Sequence, residues 1–234
     1  MKAIIKKELL IYFHTPIAWV FIGVVMCVSA IMFTMFNLFD GNSSISMIFS
    51  LLPWIFVVMI PLLTMRLISE ERGTKTDQLL LTSPISVSSI VWGKFFAALS
   101  VFAVSIILML IYPLILSFHS EIYIGAVFTN YLGFFLLGAS LISVGIFVSS
   151  LTENQFTAGI ITIAILLATT LLGLVKGSTG IGLIDSLMSV FMVVRRFDSF
   201  LVGIVDIANV VYYVSIVVIF ILLTIFRIER RKIK

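Results

Sequence analysis

Six stretches of this chain are long enough to cross a lipid bilayer, and none of them contains an Asp, Glu, Lys or Arg. They fall at 17–36, 48–65, 95–118, 127–148, 156–175 and 207–226. A helix needs about 20 apolar residues to span the hydrocarbon core. In lipid a backbone must satisfy its own hydrogen bonds, which leaves helices or a closed barrel. The alternating pattern of barrel strands is absent, so the expectation is an all-α membrane protein of six transmembrane helices in a single domain over 1–234. Composition agrees: 61% of residues are hydrophobic and 11% charged, where soluble domains carry about 25% charged residues.

The stretch 183–205 is apolar enough to be considered as a seventh span, but it contains Asp185, Arg195, Arg196 and Asp198. Each charge near a helix centre costs about 2.5 to 3.5 kcal/mol on insertion. The external segment 176–206 is therefore expected to form short interfacial or re-entrant helices, with Phe191, Phe197 and Phe200 as outward anchors in the membrane interface.

Basic residues are retained on the cytoplasmic side of short loops. With both termini cytoplasmic, Lys2, Lys6, Lys7, Arg66, Arg72, Lys75, Lys94, Arg227, Arg230, Arg231, Lys232 and Lys234 all lie on that side. Lys176, Arg195 and Arg196 fall outside. The N-terminal basic stretch is expected to act as a retained anchor, not as a cleaved leader. The net charge of +4 sits beside span ends, which points to lipid phosphates as partners and not to nucleic acid.

Several chemistries are excluded residue by residue. The one Gly-Lys pair, Gly93 and Lys94, precedes Phe95, so no phosphate-binding loop is present. There is no zincin motif and no nucleophile elbow, and no metal or cofactor is expected. His14 and His119 lie on opposite sides of the membrane in this topology. With no charge inside a span, an ion relay has nothing to run on, and a hydrophobic or amphipathic substrate is expected of any transport activity. The lone Cys27 is expected to be a small buried apolar residue, and Asn130 and Asn209 to make local interfacial hydrogen bonds. Pro53, Pro61 and Pro113 are expected to bend their spans. The small residues Gly138, Gly145 and Ser149 on span 4 favour close packing within the bundle.

Most loops are short, and the long cytoplasmic segment 66–94 is informative. Ser69 followed by Glu70 and Glu71 reads as a helix start. The helix runs through Leu79, Leu80 and Leu81 and stops where Pro84 forces Ser83 out of helical geometry. Ser86 then caps the helix leading into span 3. From the residues alone, this segment reads equally as a helix resting on lipid or as a docking surface.

The order Glu71, Arg72, Gly73, Thr74, Leu79, Leu80, Thr82, Pro84, Gly93, Lys94 resembles the permeases of type-2 ABC exporters. The stretch Phe200, Gly203, Asp206, Tyr212, Tyr213 is similar to the gliding-motility and nitrous-oxide-system permeases, most of all the gliding-motility branch. The resemblance implies a permease subunit in a bacterial cytoplasmic membrane, with a separate ABC ATPase subunit and a second permease copy or related membrane subunit as partners. It also makes 66–94 a coupling segment. Leu79, Leu80, Leu81, Pro84 and Ile85 would touch the ATPase, with Glu71 and Arg72 orienting the helix. The turn at Thr152, Glu153, Asn154 and Gln155 would be a second contact. The alternative is a non-transporting scaffold of a cell-surface machine.

Overall fold

The computed structural model describes residues 1–42, 44–76, 85–118, 123–174 and 193–232. It is all-helical among these residues. Helix α1 (Lys2–His14) precedes the spans. Span 1 is α2 (Pro16–Phe33), which ends in a wider π-type turn, Thr34–Phe39. Span 2 is α3 (Ser46–Thr64) continued by α4 (Arg66–Gly73). Span 3 is α5 (Val87–Met109) with α6 (Ile111–Ser117). Spans 4 and 5 are α7 (Ile124–Leu151) and α8 (Gln155–Leu174). After a 3-10 turn at Arg195–Phe197 and the single turn α9 (Asp198–Leu201), span 6 is α10 (Ile207–Lys232).

All six expected spans are present, and six helices are long and apolar enough to cross a membrane. Span 3 starts at Val87, eight residues before its uncharged core, because Ser86 caps it: the Ser86 hydroxyl accepts from the Ser89 amide at 3.4 Å. The expected helix start at Ser69 is corrected. Ser69 lies inside α4, and its hydroxyl donates back to the Met65 carbonyl, so the acids Glu70 and Glu71 extend span 2 instead of opening a new helix.

Span 4 is the axis of the bundle. Its most apolar window is 78% buried, against 17% for span 6. Lipid tails offer no hydrophobic drive for helices to associate, so shape and internal hydrogen bonds must hold them. Phe21, Phe56, Phe102 and Phe134, one from each of the first four spans, meet at the centre. Their ring centroids lie 4.9 Å apart for Phe56–Phe134, 5.3 Å for Phe56–Phe102 and 6.2 Å for Phe21–Phe56. Such offset and tilted pairs add roughly 0.5 to 1.5 kcal/mol each beyond area burial. The outer faces carry Trp19, Phe156 and Val218, as lipid-facing surfaces should. Cys27 belongs to this outer face and is exposed, not buried as its residue type suggests in a soluble core.

The breaks in spans 2 and 3 are each answered by a hydroxyl of span 4. Pro113 cannot donate to Met109, four residues earlier. The Tyr131 hydroxyl of span 4 takes that carbonyl instead, at 2.7 Å. Span 2 breaks at Met65, and there Ser149 of span 4 is inserted. Its hydroxyl donates to the Met65 carbonyl at 2.9 Å and sits 3.2 and 3.1 Å from the Ile68 and Ser69 amides, as their acceptor. These are the amides that a new helix start leaves unpaired. Gly145 permits the approach, because a Cβ there would collide with Thr64.

Tyr131→Phe should lower the unfolding free energy by about 1 to 2 kcal/mol, since it strands a carbonyl that Pro113 cannot serve. Ser149→Ala should cost a similar or larger amount, about 1 to 3 kcal/mol, by stranding the α4 amides. Thermal unfolding in detergent measures both. Ser149→Thr, which keeps the hydroxyl, should recover most of the Ser149 loss.

Candidate functional site

One end of the bundle gathers most of the charge. Lys94, at the second turn of span 3, is 2% exposed at its side chain, and its ammonium lies 2.9 Å from Glu8 of α1 and 2.9 Å from Glu71 of α4. It also donates to the Leu67 carbonyl at 2.6 Å. Three donors on one ammonium thus meet three oxygens. Lys7 adds a second cation on Glu71 at 3.1 Å. The preceding residue, Gly93, lets α1 lie against span 3: a Cβ there would come within 2.9 Å of Ile4.

A second knot lies beside the first. Arg72 donates to the Ser150 and Thr152 carbonyls at 2.5 and 3.0 Å and pairs with Glu153 at 3.1 Å. Arg231, near the end of span 6, reaches Glu153 at 3.5 Å. Gly73 lies so close to this turn that a Cβ would sit 2.8 Å from the Glu153 carbonyl oxygen. Asn154 accepts from the Phe156 amide at 2.9 Å and so helps to start span 5. Gln155 is the first residue of α8.

A third set ties α1 to span 2. Tyr12 is fully buried and donates to the Leu63 carbonyl at 2.6 Å; burial, with Glu8 close by, raises its pKa well above the ordinary tyrosine value. Arg66 bonds the Thr15 hydroxyl at 3.3 Å and pairs with Glu70 at 3.4 Å. Lys75 has a positive φ of 58° and closes α4 in the left-handed conformation usual after a helix end.

Both sequence-marked segments therefore converge. Glu71 and Arg72 from one and Thr152 and Glu153 from the other are parts of one clasp, which also holds α1, the start of span 3 and the end of span 6. Ile85 is half-buried beside the Ser86 cap. Leu79, Leu80, Leu81 and Pro84 lie outside the described residues, as do His119, Lys176 and Phe191.

The opposite end holds the remaining marked residues. Phe197 and Phe200 are buried inside the bundle, not presented outward as anchors. The Phe200 ring fills the space a side chain on Gly133 would need, and the Thr129 hydroxyl holds its carbonyl at 3.1 Å. Aromatic rings continue inward from Phe200 through Phe197 to Phe134, at 6.4 and 6.2 Å. An apolar face that completes the bundle is better buried there than in the interface. Arg195 is exposed; Arg196 lies 4.2 Å over the Tyr212 ring and donates to Asn209 at 3.3 Å. Asn209 donates onward to Ser199 at 2.8 Å, and Asn130 to Ser46 at 3.1 Å. Both amides bridge separate elements and are not locally bonded.

Glu8 was not marked by sequence reasoning, and its signal is plain in hindsight: it is the sole acid before Asp40, set among lysines. Ser149 was marked for its size, not for its hydroxyl. Among the described residues no group of acids, histidines or cysteines is arranged to hold a metal.

Six apolar spans around a buried aromatic core define a multi-pass membrane protein whose charged end ties its loops to the bundle. A family model for ABC-2 family transporter proteins matches residues 33–228, and the chain belongs to that family. It is accordingly of the permease kind, the membrane component and not the catalytic one. No curated protein matches the sequence.

Lys94→Met should destabilise the protein by about 3 to 5 kcal/mol, because it leaves buried carboxylates without their cation. Adding Glu8→Gln should restore part of that loss. A double-mutant cycle read by unfolding in detergent should therefore give a coupling well above the additive value.

Proposed function

We propose that this chain is the membrane-spanning subunit of an ATP-driven exporter, in which 66–94 is the coupling segment that receives the stroke of a separate ABC ATPase. The observation that supports this reading best is the clasp. A segment that transmits a push must be tied at both of its roots, and Glu71, Arg72 and Gly73 secure one root while Gly93 and Lys94 secure the other. The family's Gly-Lys at span 3 and its acid-base-Gly at span 2 thereby gain a physical role. They fix the segment to the bundle, which leaves Leu79, Leu80, Leu81, Pro84 and Ile85 for the ATPase groove.

Sidedness follows from the same cluster. The clasp carries the basic residues that the cytoplasmic side retains, so both termini and the coupling segment face the nucleotide in a bacterial cytoplasmic membrane. The absence of charge from the apolar stretches 17–36, 48–65, 95–118, 127–148, 156–175 and 207–226 favours a hydrophobic or amphipathic substrate, moved at the interface with a second permease copy or a related subunit. The order Phe200, Gly203, Asp206, Tyr212, Tyr213 aligns the chain with the gliding-motility branch.

Purified from its native membrane, the tagged chain should carry a nucleotide-binding subunit, and Leu80→Asp should abolish that co-purification while leaving the permease folded. In whole cells Lys75→Cys should react with an impermeant maleimide only after the membrane is opened. Labelling from outside intact cells would refute the orientation and the ATPase docking together.

A further inference from the structure

A cavity of about 390 Å³ lies between spans 4, 5 and 6, running from the middle of the bundle toward the end away from the clasp. Its span 6 wall is Tyr212, Ser215, Ile216, Ile219 and Phe220, one face of a helix at the spacing of 3.6 residues per turn. From Tyr212 to Phe220 it runs about 12 Å at 1.5 Å per residue. Its hydroxyls are occupied by their own helices: Ser140 donates to Leu137, Thr169 to Leu166 and Ser215 to Val211, at 2.7, 2.8 and 2.7 Å. Water needs two to four polar partners to be held in a cavity, and these walls offer little to it. The slot suits hydrocarbon.

At its mouth the chemistry changes. Arg196 lies over the ring of Tyr212, whose side chain also lines the slot, and Val193 lines the same end. Among the described residues Arg196 takes neutral partners, an aromatic ring and the Asn209 amide oxygen, and its Nε is buried without a hydrogen bond. A guanidinium whose hydrogen-bond and ring partners are neutral, above an apolar slot about 12 Å deep, matches one leaflet of a bilayer, whose hydrocarbon half-thickness is about 15 Å. A phosphate is the bidentate partner that such a fork favours.

We infer that this slot is a binding site for an anionic phospholipid of the surrounding leaflet, with one acyl chain against spans 4, 5 and 6 and its phosphate on Arg196. The site lies within one chain and is independent of the proposed ATP-driven cycle, so it stands or falls without any ATPase.

The full-length protein in nanodiscs of phosphatidylcholine, doped with phosphatidylglycerol bearing a tail diazirine, tests it. Irradiation should label Leu166 and the Ile216 to Phe220 face in preference to the outward-facing Phe156 and Val218. Arg196→Gln should reduce this labelling about tenfold, the equivalent of one charge-assisted contact, to the level of the same probe on phosphatidylcholine, whereas Arg196→Lys should retain most of it. Ser215→Trp or, independently, Ile219→Trp should fill the slot and abolish labelling with either headgroup. Even labelling of all outward faces, or labelling unchanged in Arg196→Gln, would overturn the site. So would a Ser215→Cys disulfide between two copies, because a protein partner would then cover the slot.

Discussion

The buried ammonium of Lys94 is the contact on which the arrangement of this molecule depends. Stripping an ammonium of water costs several kcal/mol unless opposite charge and hydrogen bonds replace the solvent. Here the replacements come from α1, from Glu71 and from the Leu67 carbonyl, all outside span 3. A charge that needs three separate pieces of chain in place selects one arrangement of them. That is why the N-terminal helix is part of the folded unit and not a loose basic tail.

From this constraint the rest of the charged end follows. With α4 fixed by Glu71, its next residue Arg72 is aimed at the turn after span 4, where three oxygens accept from its two terminal NH2 groups. Ser149, one turn before that point, fills the break in span 2. Span 4 therefore touches α4 through both a neutral insertion and a charged knot. Motion of α4 would have to carry span 4 with it, and span 4 is the most buried of the six spans.

The spans were legible because lipid imposes a length and forbids charge, and these rules act locally. The start of span 3 was legible too, because Ser86 is a local cap signal and the helix it opens runs from Val87 past the buried Lys94 into the uncharged stretch. Ser69 was misread because cap residues signal a start only where the preceding turn has ended, and Ser149 bridges the break at Met65 from another helix. Phe197 and Phe200 looked like interface anchors because a sequence does not reveal that Gly133 leaves room for a ring inside. Pairings such as Glu8 with Lys94 join residues 86 positions apart and have no local signature. The resemblance of the Glu71 to Lys94 pattern marks residues at both roots of the 66–94 segment, and the geometry adds what those residues touch.

If the clasp works as described, α4 and the turn after span 4 form one rigid body. Spin labels at Thr76→Cys and Asn154→Cys, in a background with Cys27→Ser and in nanodiscs, measure it by electron-electron double resonance. The account predicts one narrow distance that is unchanged when the ATPase is locked with nucleotide and that broadens in Arg72→Ala. A broad distribution in the unmodified clasp, or a shift on locking, would contradict it.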